Sequence, residues 1–248
     1  MPSAFLSASV IENTKWADNL FSIKLSVELK PFKAGQFIRL QLKVGDEYIT
    51  KPYSLVNTPN EKYAEVLYNT VTDGVMSNAL SKLRAGDLIE ISQPAVGFFV
   101  IEEVPDSKDL WMMATGTGLG PYLSILQSPD VWERFEKIIL VHAVSYENNL
   151  AYQGLIQQLS DEHVGQLHYL PVVSREKVST ALQGRIPDLI ANGELETKAG
   201  VIISTQDSQI MLCGNQHMIA DVRAVLVSRG LQKHLRRKPG HITTEQYF

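Results

Sequence analysis

The chain reads as two domains, an N-terminal antiparallel β-barrel followed by an α/β unit built on a parallel sheet. Three observations predict this. The 248 residues exceed the commonest size of a single domain. The first hundred carry short β-rich runs separated by turn residues, as barrels and sandwiches do. Beyond Pro105 the texture changes to apolar strands alternating with helical stretches. The switch falls at 103–107, so residues 1–104 and 105–248 are expected to form the two domains, with a short linker.

In the first part, strands are expected at 20–27, 37–42, 53–56, 64–71 and 88–91. Turn signals at Lys33-Ala34-Gly35, Val44-Gly45-Asp46, Asn57-Thr58-Pro59 and Arg84-Ala85-Gly86-Asp87 lie between them, where the chain has to reverse. In the second part a strand at 110–114 runs into a glycine loop and a helix from about Pro121, which makes a βα unit. Further strands at 138–144, 168–173 and 210–213 alternate with helices around 149–159 and 216–228. That alternation builds a parallel sheet with crossover helices. There is no internal repeat or low-complexity tract.

Composition removes several function classes. The chain is 44% hydrophobic and 20% charged, an ordinary globular balance, and holds no apolar run long enough for a bilayer. Its opening residues lack a basic segment followed by an apolar core, so neither secretory nor transit signal is expected and the cytoplasm is the expected location. A formal net charge of −4 argues against a nucleic-acid partner held by global positive charge. The single Cys213 excludes an internal disulfide, a four-cysteine zinc site and a four-cysteine iron–sulfur cluster. No metal site is expected. If this chain handles electrons, its own redox centre is an organic cofactor, and any iron–sulfur centre belongs to a partner.

Several segments carry chemistry. In Lys51-Pro52-Tyr53-Ser54, a tyrosine can cover a flat aromatic face while the next hydroxyl hydrogen-bonds its edge. Leu67-Tyr68-Asn69 precedes Gly74-Val75-Met76-Ser77, where a turn opens a helix whose first N–H groups suit a phosphate and where Ser77 is placed to cap it. The loop Thr115-Gly116-Thr117-Gly118-Leu119-Gly120 follows a strand and opens a helix, giving a pyrophosphate close backbone access. It departs from the usual G-x-G-x-x-G spacing. Arg175 and Arg185 follow strand-like runs and are either phosphate ligands or solvated loop charges. Cys213-Gly214-Asn215 closes the last apolar strand, with Cys213 either inert packing or a contact to a bound ring. The basic run Lys233-His234-Leu235-Arg236-Arg237-Lys238 either docks an acidic partner or is a solvated charge run. The chain closes on two aromatics, Tyr247-Phe248.

Taken in order over nearly the whole chain, these segments resemble the bacterial-type ferredoxin(flavodoxin)–NADP reductase family. The resemblance implies an FAD-binding barrel at 1–104 and an NADP-binding α/β domain at 105–248 whose C-terminal tail also touches FAD. It implies that Tyr53 packs on the isoalloxazine and that Ser54 lies near the flavin N5. Lys51, Pro52, Leu67, Tyr68, Asn69, Val75, Met76, Ser77 and Thr117 would complete the FAD site. Lys51 stands where many members carry Arg, and offers charge without a bidentate fork. Gly116, Gly118, Ser145, Arg175, Arg185, Gly214 and Asn215 would hold NADP(H), with Cys213 beside the nicotinamide. Ser145 stands where close relatives have an arginine, and with Glu147 nearby this weakens the preference for the 2′-phosphate.

Tyr247 would cover the second flavin face and yield to the nicotinamide, with Phe248 near the adenine where relatives often end in Trp. Tyr53, Ser54, Cys213 and Tyr247 are thus the residues around the reaction. The implied activity moves hydride between NADP(H) and FAD, and single electrons between FAD and ferredoxin or flavodoxin, from a protein expected to be monomeric. The rival readings are a reductase of free flavin, quinone or an oxygenase, and a non-catalytic flavin- or nucleotide-binding module.

Overall fold

A computed structural model describes residues 4–247. It divides into two compact units: residues up to Val100 together with Gly120–Ser128, and Ile101–Leu119 together with the residues from Pro129 onward.

The first unit is an antiparallel sheet of six strands: β1 (Ala4–Ala17), β2 (Leu20–Ser26), β3 (Phe37–Val44), β4 (Glu47–Ser54), β5 (Tyr63–Asn69) and β6 (Leu88–Gln93). Their order is β4-β3-β6-β1-β2-β5. The two ends of that order meet just past β4, where Leu55 bridges to Val66 and the Val56 N–H donates to Glu65 O at 2.8 Å, so the sheet curls on itself. Alternate side chains point inward and fill the interior with Ile23, Leu25, Ile38, Leu40, Val66 and Ile91, each inaccessible to solvent. A short helix, α1 (Val75–Leu80), plugs this core with Met76 and Leu80.

In this unit β1 is the strand the sequence reading missed. It is long enough to pair with β6 through its first half and with β2 through its second. Register shifts between Val10 and Glu12 and between Lys15 and Ala17 break its in–out alternation twice, which hides the strand period. The strand expected at 53–56 proves to be the tail of β4. Most of β4 is exposed at the sheet edge, where Pro52 is tolerated and no hydrophobic alternation is required.

The second unit is a parallel sheet with order β10-β9-β8-β7-β11-β12. Its strands are β7 (Asp109–Thr115), β8 (Lys137–Val144), β9 (Leu167–Val173), β10 (Leu182–Gln183), β11 (Ser208–Asn215) and β12 (Ile242–Tyr247). Covered on both faces, β7 and β11 are buried almost end to end, which is why they read as unbroken apolar runs. The helices are α2 (Leu119–Leu126), α3 (Asp130–Arg134), α4 (Gln153–Glu162), α5 (Ile186–Ala191), α6 (Glu194–Ala199) and α7 (Gln216–Ser228). One core joins Trp111, Met113, Ile139, Val141 and Leu212 to Ile219 and Val222 of α7.

From Gly120 onward, α2 belongs to the barrel unit. Ser124 is buried and donates to Asn57 O at 2.7 Å, and Gln127 Nε2 donates to Val56 O at 3.1 Å. The Tyr122 and Phe99 rings lie 5.7 Å apart.

Candidate functional site

Each unit presents candidate residues of its own at the end of a sheet. In the barrel unit, β4 delivers Tyr53 and Ser54 opposite Ile38 and Phe37 of β3. Ser54 is buried, while the Tyr53 ring is half-buried and meets Tyr68 edge to face at 6.4 Å. Burial pushes the Tyr53 phenol up to about 12, so it stays protonated at any physiological pH. Lys51 and Pro52 are exposed beside it.

Leu67 and Tyr68 lie behind this pair, in the wall. Tyr68 stacks on Phe21 at 5.7 Å and donates to Asn13 Oδ1 at 2.9 Å, while Asn13 Nδ2 donates to the carbonyls of Leu80 and Leu83 at 2.8 and 3.0 Å. Asn13 therefore ties the wall to the C-terminal end of α1, a link for which the sequence held no signal. Asn69 Nδ2 donates to Asn19 O at 3.0 Å.

The α1 start is capped differently from the sequence expectation. Its N-cap is Gly74, no side chain caps it, and Ser77 sits inside the first turn, donating back to Gly74 O at 3.3 Å. A residue three positions into the helix faces carbonyls, so its hydroxyl back-bonds instead of capping. Val75 is exposed and Met76 is core, so what this segment offers outward is backbone N–H.

In the second unit β7 ends at Thr115 and the chain turns through a 3-10 segment, Gly116–Gly118, before α2. Gly116 adopts φ +53. The next strand, β11, passes so close that a Cβ on Gly118 would lie 2.5 Å from Cys213 O and 3.0 Å from Gly214 N. Gly214, at φ +124, would bring a Cβ to 2.4 Å from Thr115 Oγ1. Only glycine permits this crossing. Thr115 Oγ1 fixes it by accepting the Asn215 N–H at 2.9 Å, while Asn215 Oδ1 caps α7 by accepting from His217 and Met218. Cys213 is wholly buried at the crossing.

On the other side of β7, His142 of β8 is buried and its Nε2 lies 3.1 Å from Gly116 O. Burial pulls this imidazole down to about 4. Sequence reasoning passed over His142 and Thr115; a lone histidine at the end of an apolar strand, 139–141, was the available signal.

Past the β8 and β9 ends the chain carries the polar candidates. The Arg175 N–H donates to Ser145 O at 3.0 Å, and the Arg175 guanidinium lies 5.9 Å from the centre of the Tyr146 ring. Glu176 accepts the Glu147 N–H. Arg185 is exposed at the start of α5, just beyond β10. At the sheet edge β12 runs parallel to β11, pairing Cys213 with Glu245 and Asn215 with Tyr247. Only the backbone of Tyr247 is described, and Phe248 lies outside the described residues. The basic run forms a tight turn: Leu235 and Lys238 exchange backbone hydrogen bonds at 3.0 and 2.8 Å, leaving Arg236 and Arg237 at the exposed tip. Arg236 pairs with Glu103 at 2.9 Å. Among the described residues no histidine, cysteine or carboxylate cluster could hold a metal, and no helix is long and apolar enough to cross a membrane.

Two uncapped helical starts, one per unit, with an aromatic–hydroxyl pair at the first and a glycine crossing at the second, suit a flavin dinucleotide and a nicotinamide dinucleotide. Family comparison agrees: the oxidoreductase FAD-binding domain matches residues 8–99 and the oxidoreductase NAD-binding domain matches residues 112–224. The chain is thus an oxidoreductase of the two-domain flavin–nicotinamide class.

Nearer relatives narrow this. A flavodoxin/ferredoxin–NADP reductase of Escherichia coli is 43% identical over 98% of this chain and 99% of its own length, and one from Buchnera aphidicola (subsp. Schizaphis graminum) is 44% identical over the same shares. A crystal structure of a ferredoxin NADP+ reductase from Neisseria gonorrhoeae, with bound FAD and NADP, superposes with a TM-score of 0.91 at 32% identity, covering 98% of this chain and 99% of that one. The chain belongs to the flavodoxin/ferredoxin–NADP reductase family.

Proposed function

We propose that this protein exchanges hydride between NADP(H) and a bound FAD, and single electrons between that FAD and a small carrier, ferredoxin or flavodoxin. The observation that carries this is the presence in one chain of both candidate dinucleotide sites, the Tyr53–Ser54 strand end and the Thr115–Gly118 crossing with Cys213–Asn215. Bound FAD supplies the conversion between one two-electron and two one-electron events.

The protein's own residues bind and orient. Tyr53 offers a protonated, half-buried ring to a flat partner, and Ser54 holds a hydroxyl at the strand end beside it. Lys51 and the backbone of Val75, Met76 and Ser77 serve the FAD diphosphate, with Leu67, Tyr68 and Asn69 as the supporting wall and Thr117 as a further contact. Gly116, Gly118, Gly214 and Asn215 shape the nicotinamide dinucleotide's berth, and Arg175 and Arg185 meet the 2′-phosphate. Ser145 contributes a hydroxyl there without charge. Backbone pairing of Asn215 with Tyr247 supports a tail lying along the nucleotide strand, where Tyr247 gives way to the nicotinamide beside Cys213. The exposed Arg236–Arg237 tip suits an acidic carrier, steered by long-range charge, in the cytoplasm.

The deciding experiment is an anaerobic visible spectrum of the purified protein before and after NADPH or NADH. Flavin bands bleached preferentially by NADPH are the expected result. Bleaching without any turnover of a carrier protein would favour free flavin or quinone as acceptor, and absence of flavin after reconstitution would defeat the proposal. Charge reversal of Arg236 and Arg237 is expected to slow carrier reduction at low salt and to leave it unchanged at high salt.

A further inference from the structure

The glycine loop is gripped from two directions. From β11 the grip is backbone contact at Gly118 and Gly214, with the Asn215 N–H on Thr115 Oγ1. From β8 it is one side chain, His142, whose Nε2 lies 3.1 Å from Gly116 O. The ring is 1% exposed, beside Ala114 and Pro171 on the neighbouring strands. Its second nitrogen, Nδ1, is buried without a hydrogen-bond partner.

These facts fix the chemistry of the ring. A carbonyl only accepts, so Nε2 carries the proton, and the neutral imidazole leaves Nδ1 bare. A bare acceptor among apolar neighbours is unfavourable, and packing alone would be served better by leucine. The histidine therefore needs an explanation beyond filling space, and the hydrogen bond its ring makes is to the Gly116 carbonyl.

Peptide geometry supplies one. In a planar trans peptide the carbonyl of one residue and the N–H of the next point in opposite directions. Holding Gly116 O toward the imidazole turns the Thr117 N–H away from it, and the left-handed φ of Gly116 makes that orientation accessible. The Gly116 carbonyl also accepts the Leu119 N–H within the 116–118 turn, so the buried side chain beneath adds a second hold on a peptide whose N-terminal amides no side chain caps.

We propose that His142 is a positioning residue for the dinucleotide's pyrophosphate: its Nε2–H sets the 116–117 peptide so that the Thr117 N–H is presented to that anion. This rests on the NADP(H) reading above. The test compares wild type, His142→Leu and His142→Gln by calorimetric titration with two ligands. One is NADP+; the other is adenosine 2′-monophosphate, which carries the 2′-phosphate and no pyrophosphate. The leucine variant is expected to bind NADP+ about tenfold more weakly and adenosine 2′-monophosphate within about twofold of wild type, with glutamine, whose amide can donate, restoring most of the loss.

Equal weakening of both ligands, or of neither, overturns the proposal, as does a glutamine variant no better than leucine. Nitrogen-15 spectra of the wild-type histidines give an independent check should the leucine variant not fold: a proton on Nδ1 of His142 in place of Nε2 overturns it. A wild type that binds adenosine 2′-monophosphate but not NADP+ overturns it too, while one that binds neither ligand overturns the cofactor reading itself.

Discussion

Tyr53 and Ser54 end a strand bonded to β3 along its whole length, whereas Arg175 and Arg185 stand on exposed turns beyond the ends of β9 and β10. The surroundings of the two candidate groups differ in the same way. Around the tyrosine, Tyr68, Asn13 and α1 form a closed hydrogen-bonded wall, and the hydroxyl of the site is buried. Around the arginines, backbone bonds from Arg175 to Ser145 hold the loops, and the charged ends are in solvent. A resident cofactor is best held by a frame that never needs to open. A substrate that enters and leaves at each turnover is read by side chains that can reorganise at little cost.

Breaking the rigid part should have the largest effect. Gly118→Ala puts a Cβ 2.5 Å from a backbone carbonyl that cannot rotate away. It is expected to destabilise the second unit by about 3 kcal/mol and to remove nicotinamide binding, as measured by thermal unfolding and titration. A comparable effect comes from acid. His142 has a folded value of about 4 against an ordinary 6.5, so as pH falls below 6.5 the unfolded chain takes up the proton first. Stability then declines from pH 6.5 toward 4, by about 3 kcal/mol from this group, and levels off below; His142→Gln should flatten that slope in denaturant titrations.

Smaller effects sharpen the contrast. Arg175→Ala and Arg185→Ala are each expected to weaken NADPH about tenfold, to leave NADH nearly unchanged, and to shift stability by no more than about 0.5 kcal/mol. Ser124→Ala should do the opposite, costing about 1 kcal/mol of stability by orphaning the Asn57 carbonyl while leaving NADPH selectivity intact. Smallest of all is Tyr53→Phe. With the phenol pushed up to about 12, the ring is uncharged in both forms, and flavin retention between pH 6 and 10 should be unaltered while Tyr53→Ala loses it.

The contrast also explains what the sequence made legible. The β7 and β11 strands are apolar along their length because both faces are covered, and their boundaries could be read within a residue or two. The α7 limits, 216–228, matched the sequence expectation, and the structure adds Asn215 as its cap. β1 escaped because two register shifts scramble its alternation, and β12 because its edge strand buries Ile242 in the core but follows it with the polar run Thr243-Thr244-Glu245-Gln246. α5 and α6, each six residues, are too short for a periodic signal.

Among the candidate residues, motifs were readable and the contacts that hold them were not. Tyr53, Ser54, the glycine loop and Cys213-Gly214-Asn215 could be named from local chemistry. The Thr115–Asn215 bond joins positions a hundred residues apart, and the Asn13–Tyr68 bond joins positions 55 apart. Such contacts depend on strand order, which no local pattern records. The capping role given to Ser77 failed for the converse reason: a helix that starts one turn earlier than its serine leaves that hydroxyl facing carbonyls.

The placement of α2 bears on how the molecule is made. Gly120–Ser128 belongs to the barrel unit although the chain reaches it only after β7 and the glycine loop. Ser124, Gln127 and Tyr122 supply contacts that Asn57, Val56 and Phe99 await. During synthesis the barrel strands emerge before the helix that meets Asn57, Val56 and Phe99, so these contacts form only after the first strand and loop of the next unit have followed. A gene fragment ending at Val100 would accordingly encode the barrel strands without Ser124, Gln127 and Tyr122.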